Sequence, residues 1–236
     1  ELAFLRLRAA GDAGEIAIEL FDQGDVSGSL GIFSEHAAGR TIEEQDGVSY
    51  VTTRAGAIGR TGGYFFRIAG DREGVAITDK AISLVTAFAQ LNSENAAATT
   101  HEAPVPAGFA LLSQRLGIAE ADIQFQENNV FQYDFAHRFW FGNAGIGGDA
   151  RLFVHIADSV TDAKNLMAAL VEEHGYEYDQ LENAGAYRLF RHRYLGSYFA
   201  VAQRGNYIYG IEKSPDKTAI AVLLERISGH LGDGES

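Results

Sequence analysis

The sequence predicts an α+β fold made by internal duplication of a ββαβββα unit, with mainly antiparallel sheets and helices on one face. Three observations carry this expectation. First, Glu15-Ile-Ala-Ile-Glu-Leu-Phe-Asp22 aligns with Arg151-Leu-Phe-Val-His-Ile-Ala-Asp158, matching Ile16, Ile18 and Leu20 to Leu152, Val154 and Ile156. Apolar residues at every second position mark a strand with one buried face. Second, each stretch ends in an aspartate and runs into a helical pattern. Third, those two helices end alike, in Ser34-Glu35-His36 and Glu172-Glu173-His174.

The elements follow in order. An opening strand precedes each aligned stretch, over residues 2–8 and 135–141. The first helix, residues 25–36, is weakened by Gly28 and Gly31, since glycine costs helix stability. Its counterpart is more regular: Ala163, Leu166, Met167, Leu170, Val171 and His174 fall on one face at three- and four-residue steps. Ser159 or Thr161 can cap it, and Asp162 suits the positive end of the helix dipole.

Three strand pairs come next. Gly47-Val-Ser-Tyr-Val51 corresponds to Gly185-Ala-Tyr-Arg-Leu189, Gly63-Tyr-Phe-Phe66 to Ser197-Tyr-Phe-Ala200, and Gly74-Val-Ala-Ile-Thr78 to Tyr207-Ile-Tyr-Gly-Ile211. Each half closes with a helix. One starts at a cap on Asp79 and presents Ala81, Leu84, Val85, Phe88 and Leu91. The other starts at Ser214-Pro215, a cap followed by proline at the first helical position. The expected organisation is a first repeat over residues 1–93, a linker with irregular structure over 94–129, a second repeat over 130–231 and a tail over 232–236. Pro104, Pro106 and a small polar run from Asn95 place the linker.

The chain has 236 residues, no cysteine and a net charge of −13. It can bury a core without disulfides, and thiolate metal sites and cysteine nucleophiles are excluded. Residues 1–102 hold 15 acidic and 8 basic residues, a balance of −7; residues 103–236 hold 17 and 11, a balance of −6. With acid spread evenly and no basic arm, nucleic acid is not an expected partner. The charge-free stretch from Ala81 to Ser93 is too short to span a bilayer, so no transmembrane segment is expected. A first residue of Glu with no leader stretch is what an exported chain trimmed of its leader presents. Export to the periplasm or cell envelope is the expectation.

No residue is assigned a catalytic, cofactor-binding or metal-binding role. Adjacent Glu-His pairs at residues 35–36 and 173–174 point in different directions on a helix, and a histidine there suits the helix C-terminus. Gly142-Asn-Ala-Gly-Ile-Gly-Gly148 and Gly56-Ala-Ile-Gly-Arg-Thr-Gly-Gly63 are followed by strands. A phosphate loop needs a helix there, so both read as hairpin connections.

Along the chain stand Glu19-Leu-Phe-Asp22 followed by Gly31-Ile-Phe-Ser34, the turn Thr61-Gly-Gly-Tyr64, and Pro106-Ala-Gly108 followed by Ser113-Gln-Arg115. In these residues the pattern as a whole resembles an uncharacterised bacterial family, domain of unknown function 6599. The resemblance implies an exported or envelope protein and no particular activity.

Aromatic residues supply the candidate surface. Seven of the ten tyrosines lie at or after Tyr176. If Leu152, Val154 and Ile156 face the helices, then Arg151, Phe153 and His155 share the opposite face, joined by Arg138 and the single tryptophan, Trp140. Such a face either binds a small molecule or an envelope protein, or packs inside the molecule. The leading functional expectation is a non-enzymatic envelope binding or accessory module. The alternative is a hydrolase-type enzyme with a dispersed Asp/Glu/His site, such as Asp158 with His155.

Overall fold

A computed structural model describes residues 4–11, 14–98, 105–181 and 187–231. The chain divides into two compact units, Glu1–Pro106 and Ala107–Ser236. The fold is α+β, with one antiparallel sheet in each unit.

The first unit runs β1 (Phe4–Gly11), β2 (Gly14–Asp22), α1 (Val26–Ala37), β3 (Glu43–Gln45), β4 (Val48–Thr53), β5 (Gly56–Thr61), β6 (Tyr64–Gly70) and α2 (Val75–Ala98). Its strands are ordered β1-β2-β6-β5-β4-β3. The second unit opens with α3 (Ala107–Ala110), which runs into a π-helical turn at Leu111–Arg115. Then come β7 (Ile123–Gln126), β8 (Phe139–Asn143), β9 (Arg151–Ile156), α4 (Val160–Glu177), β10 (Tyr178–Gln180), β11 (Tyr187–His192), β12 (Tyr198–Arg204), β13 (Tyr207–Ser214) and α5 (Lys217–His230). Its order is β10-β11-β12-β13-β9-β8-β7. From β8 to α5 the second unit repeats the element order and ladder order of the first, and β7 is an added strand on the β8 edge.

The helices lie on both faces of each sheet, not on one. Successive strand residues point to opposite faces. In β6, Phe65 stacks on His36 of α1 at 5.4 Å between ring centroids, while its neighbour Phe66 meets Phe88 of α2 at 5.3 Å. In β9, Phe153 joins Ala163 and Leu170 of α4 in one core. Trp140 of β8 faces the other way and meets Phe109 of α3 at 5.6 Å. A strand covered on both faces loses its alternation, and Leu152, Phe153 and Val154 are all buried.

Each unit places four strands between its helices, one more than the sequence predicts. Two strands of the first unit, β3 and β5, are not among those predicted, and β5 is hidden by its glycines. Gly59 pairs with Phe66 across the ladder, and a Cβ on Gly59 would fall 2.3 Å from the Phe66 ring. Glycine is needed there so that the ring can lie across the neighbouring strand. Gly210 in β13 does the same for Phe153, with its Cβ position also 2.3 Å from the ring. The segment Gly74–Thr78, expected as a strand, is instead the start of α2, whose Ile77 and Thr78 amides donate to the Gly74 carbonyl.

Other boundaries move for local reasons. Asp216, not Ser214, caps α5, accepting from the Thr218 amide at 2.8 Å. Ser159 caps α4 through the Asp162 amide at 3.1 Å. The opening strand of the second unit starts at Phe139, because Arg138 is left-handed with φ +59°. Residues 107–126, expected within the linker, fold as part of the second unit. The expected tail, 232–236, lies outside the described residues.

Candidate functional site

The five residues of the expected surface do not share one face. Phe153 is fully buried, with Phe131, Phe139 and Phe199 around it at 5.0–6.0 Å. Phe131 comes from a turn in which Asn129, Phe131 and Gln132 are all left-handed, with φ between 54° and 68°. Such conformations cost about 1–3 kcal/mol each in residues with a Cβ, and burial of the Phe131 ring in the aromatic core offsets them. Arg151 lays its guanidinium over Phe141 at 4.3 Å and donates to buried Glu212 at 2.6 Å and to Gln124 at 3.0 Å. Trp140 is 4% exposed, lying between Phe109 and Phe125 beneath Gly108. Arg138 sits in the preceding turn beside Glu127.

His155 feels Asp158 only as one of several weaker influences, its basicity set first by burial. Its Nδ1 lies 3.3 Å from the Arg138 carbonyl, its ring stacks on Phe139 at 4.9 Å, and burial lowers its basicity. His174 is more deeply set, at 2% exposure. It stacks on Phe199 at 3.8 Å and donates from Nδ1 to the Leu170 carbonyl at 2.9 Å. Burial lowers its pKa to about 4, so it is neutral at pH 7 and serves as a core side chain. Among the described residues no cluster of three or more His, Asp or Glu could hold a metal ion. Among the same residues no helix is long and apolar enough to cross a membrane.

A cleft of about 400 Å³ lies in the second unit, with Leu116, Leu152 and Ile227 in its walls and Asn143 and Arg226 at its polar edge. Asp122 also lines it, and Asn143 and Arg226 are engaged in holding the walls. Arg226 donates to the Leu116 carbonyl at 2.8 Å, and Asn143 accepts from the Gly145 amide at 2.8 Å.

The most exposed apolar group stands at the turn between β11 and β12. Tyr194 is 88% exposed, Leu195 75% and Tyr176, near the end of α4, 72%. The turn is held rigidly. Arg193 donates to the Tyr176 carbonyl at 2.7 Å, the Gly175 carbonyl at 3.2 Å and the Asp179 carboxylate at 2.9 Å. His192 Nδ1 accepts from the amides of Tyr194 and Leu195 at 3.1 and 3.2 Å, which puts the proton of the neutral ring on Nε2. The tyrosine enrichment after Tyr176 was the sequence signal for this tip, but alternation along a strand cannot report which side chains a turn sends outward.

The chain matches no family model, no curated protein and no solved structure.

Proposed function

We propose that this chain is a non-enzymatic binding module that engages a protein partner through the tip formed by Tyr176, Tyr194 and Leu195. One observation carries the reading: Tyr194 and Leu195 stand in solvent on a turn whose backbone is fixed by His192 and which Arg193 ties to the end of α4, where Tyr176 is exposed. Exposed aromatic and aliphatic groups mark interaction surfaces when clustered, and fixing them in advance lowers the entropy lost on binding. Exposed Glu172 and Glu177 adjoin the tip, which favours a partner with basic residues around an apolar contact. The reading includes export to the cell envelope, in line with the family resemblance.

The test is selection of binders from a random peptide display library, with counter-selection on a Tyr194→Ser/Leu195→Ser variant that melts at the wild-type temperature. Enrichment of Lys- or Arg-flanked apolar peptides that ignore the variant supports the reading. Binders that hold the variant as well as the wild type overturn it.

A further inference from the structure

We infer that β1 is a docking edge for an extended partner segment with alternating apolar and acidic side chains, which joins the first sheet as an added strand. β1 ends its sheet, and among the described residues no strand pairs with its outer side. Such an edge presents unpaired backbone donors and acceptors along its length. β1 is eight residues long, and every residue from Leu5 to Gly11 is exposed. Leu5 is 52% and Leu7 53% exposed.

The second unit shows how this edge is closed. β8 occupies the place of β1 in the same ladder order, and β7 pairs with its outer side: Ile123 opposite Gly142, Gln124 opposite Phe141, Phe125 opposite Trp140. β7 itself alternates. Ile123 is fully buried and Phe125 packs on Trp140 at 4.5 Å, while Gln124 on the other face accepts from Arg151. An added strand thus sends apolar side chains to one face and a polar acceptor to an arginine on the other.

β1 asks for the same pattern with more charge. Leu5 and Leu7 point to the α2 face. Arg6 and Arg8 point to the α1 face, in line with Glu19 and Ala17. Buried Glu19 takes Arg67 Nε at 2.7 Å and Arg6 Nε at 3.3 Å, and Arg8 lies 3.5 Å from Glu15. Three arginines therefore share this face with two carboxylates, leaving a local excess of one positive charge (3 − 2) in a chain of net −13. All three arginine side chains keep about half their surface in solvent. Acidic side chains on the incoming strand would meet them, and apolar ones would cover Leu5 and Leu7. This is recognition by strand addition, in which the backbone supplies affinity and alternate side chains supply selectivity.

The test uses a fluorescein-labelled heptapeptide alternating glutamate and valine, titrated with the full chain and read by anisotropy. Saturable binding is expected, at least about tenfold weaker for the lysine–valine peptide. Arg8→Glu, which leaves the Glu19 cluster intact, should reduce that preference, and Arg6→Glu/Arg8→Glu should invert it. A glutamate–valine peptide N-methylated on alternate amides should not bind, because the ladder is blocked. Equal binding of both peptides, or indifference to N-methylation, overturns the proposal. So does sedimentation showing a dimer that Leu7→Glu dissociates, since the occupant is then a second copy. None of these measurements involves Tyr194 or Leu195, so this proposal and the tip reading fail separately.

Discussion

β1 and β8 hold the same position in two sheets of the same strand order, yet one is exposed from Leu5 to Gly11 and the other is buried from Phe139 to Gly142. The difference comes from residues 107–136. In the second unit they lay α3 over Trp140, pair β7 with the β8 edge, and drive Phe131 into the opposite core. The residues meeting across the strands have changed to match. Arg6, Glu19 and Arg67 line up across β1, β2 and β6; Phe139, His155 and Ile208 take those places in β8, β9 and β13. A covered face takes aromatic rings, and an open one takes paired charges whose arginines stay in water.

Trp140→Ala should give the largest effect that sharpens this contrast. The ring is enclosed by Phe109, Phe125 and Gly108, so its loss should cost about 3–5 kcal/mol in denaturant unfolding. A loss below about 1 kcal/mol would mean that the cover over β8 is loose.

His174 supplies the next effect, through pH. Its folded pKa of about 4 lies below the ordinary 6.5 because burial disfavours the charged ring. The fold therefore favours the neutral form. The stabilisation is complete above about pH 6.5 and is lost as pH falls from there towards 4, amounting to about 3 kcal/mol. Lowered basicity at His155 acts in the same direction. His174→Phe keeps a ring in the aromatic core, and its stability should fall less steeply between pH 7 and 4 than the wild type's. Parallel curves would show that the imidazole is not held neutral by the core.

Gly108→Ala tests how closely α3 lies on Trp140. A Cβ there would sit 2.3 Å from Trp140 Cδ1, and the overpacking should cost about 1–3 kcal/mol. The smallest effect belongs to Leu7→Ala in β1, where an exposed side chain should change stability by no more than about 0.5 kcal/mol.

How much was legible in the sequence depends on which interactions set each element. The alternation of Ile16, Ile18 and Leu20 and the spacing from Ala163 to His174 are local patterns, and they located β2, β9 and α4. The strand β5 was not legible, because its glycines answer to Phe66 on the next strand, a contact with no local trace. Position 138 reads as strand by its neighbours, and only its left-handed backbone in the fold cuts the strand short. The expected surface fails for two reasons: it assumes a single covered face, and it sets Trp140 on the face of Phe153. Alternation along one strand does not give the register to its neighbour, which sets Trp140 opposite Val154 and Phe141 opposite Phe153, and it cannot tell that a segment beginning near Gly108 covers the Trp140 face.

The contrast between the two edge positions is tested most directly by amide hydrogen exchange at peptide resolution on the full chain. Residues 139–143, enclosed between β7 and β9 and covered on both faces, should exchange only on near-global opening. Residues 4–11, paired on one side and exposed on both faces from Leu5 to Gly11, should exchange orders of magnitude faster, and should gain protection when the glutamate–valine heptapeptide is added. Equal protection of the two segments in the free protein would show that β1 is covered in solution, and would contradict the open edge on which the account rests.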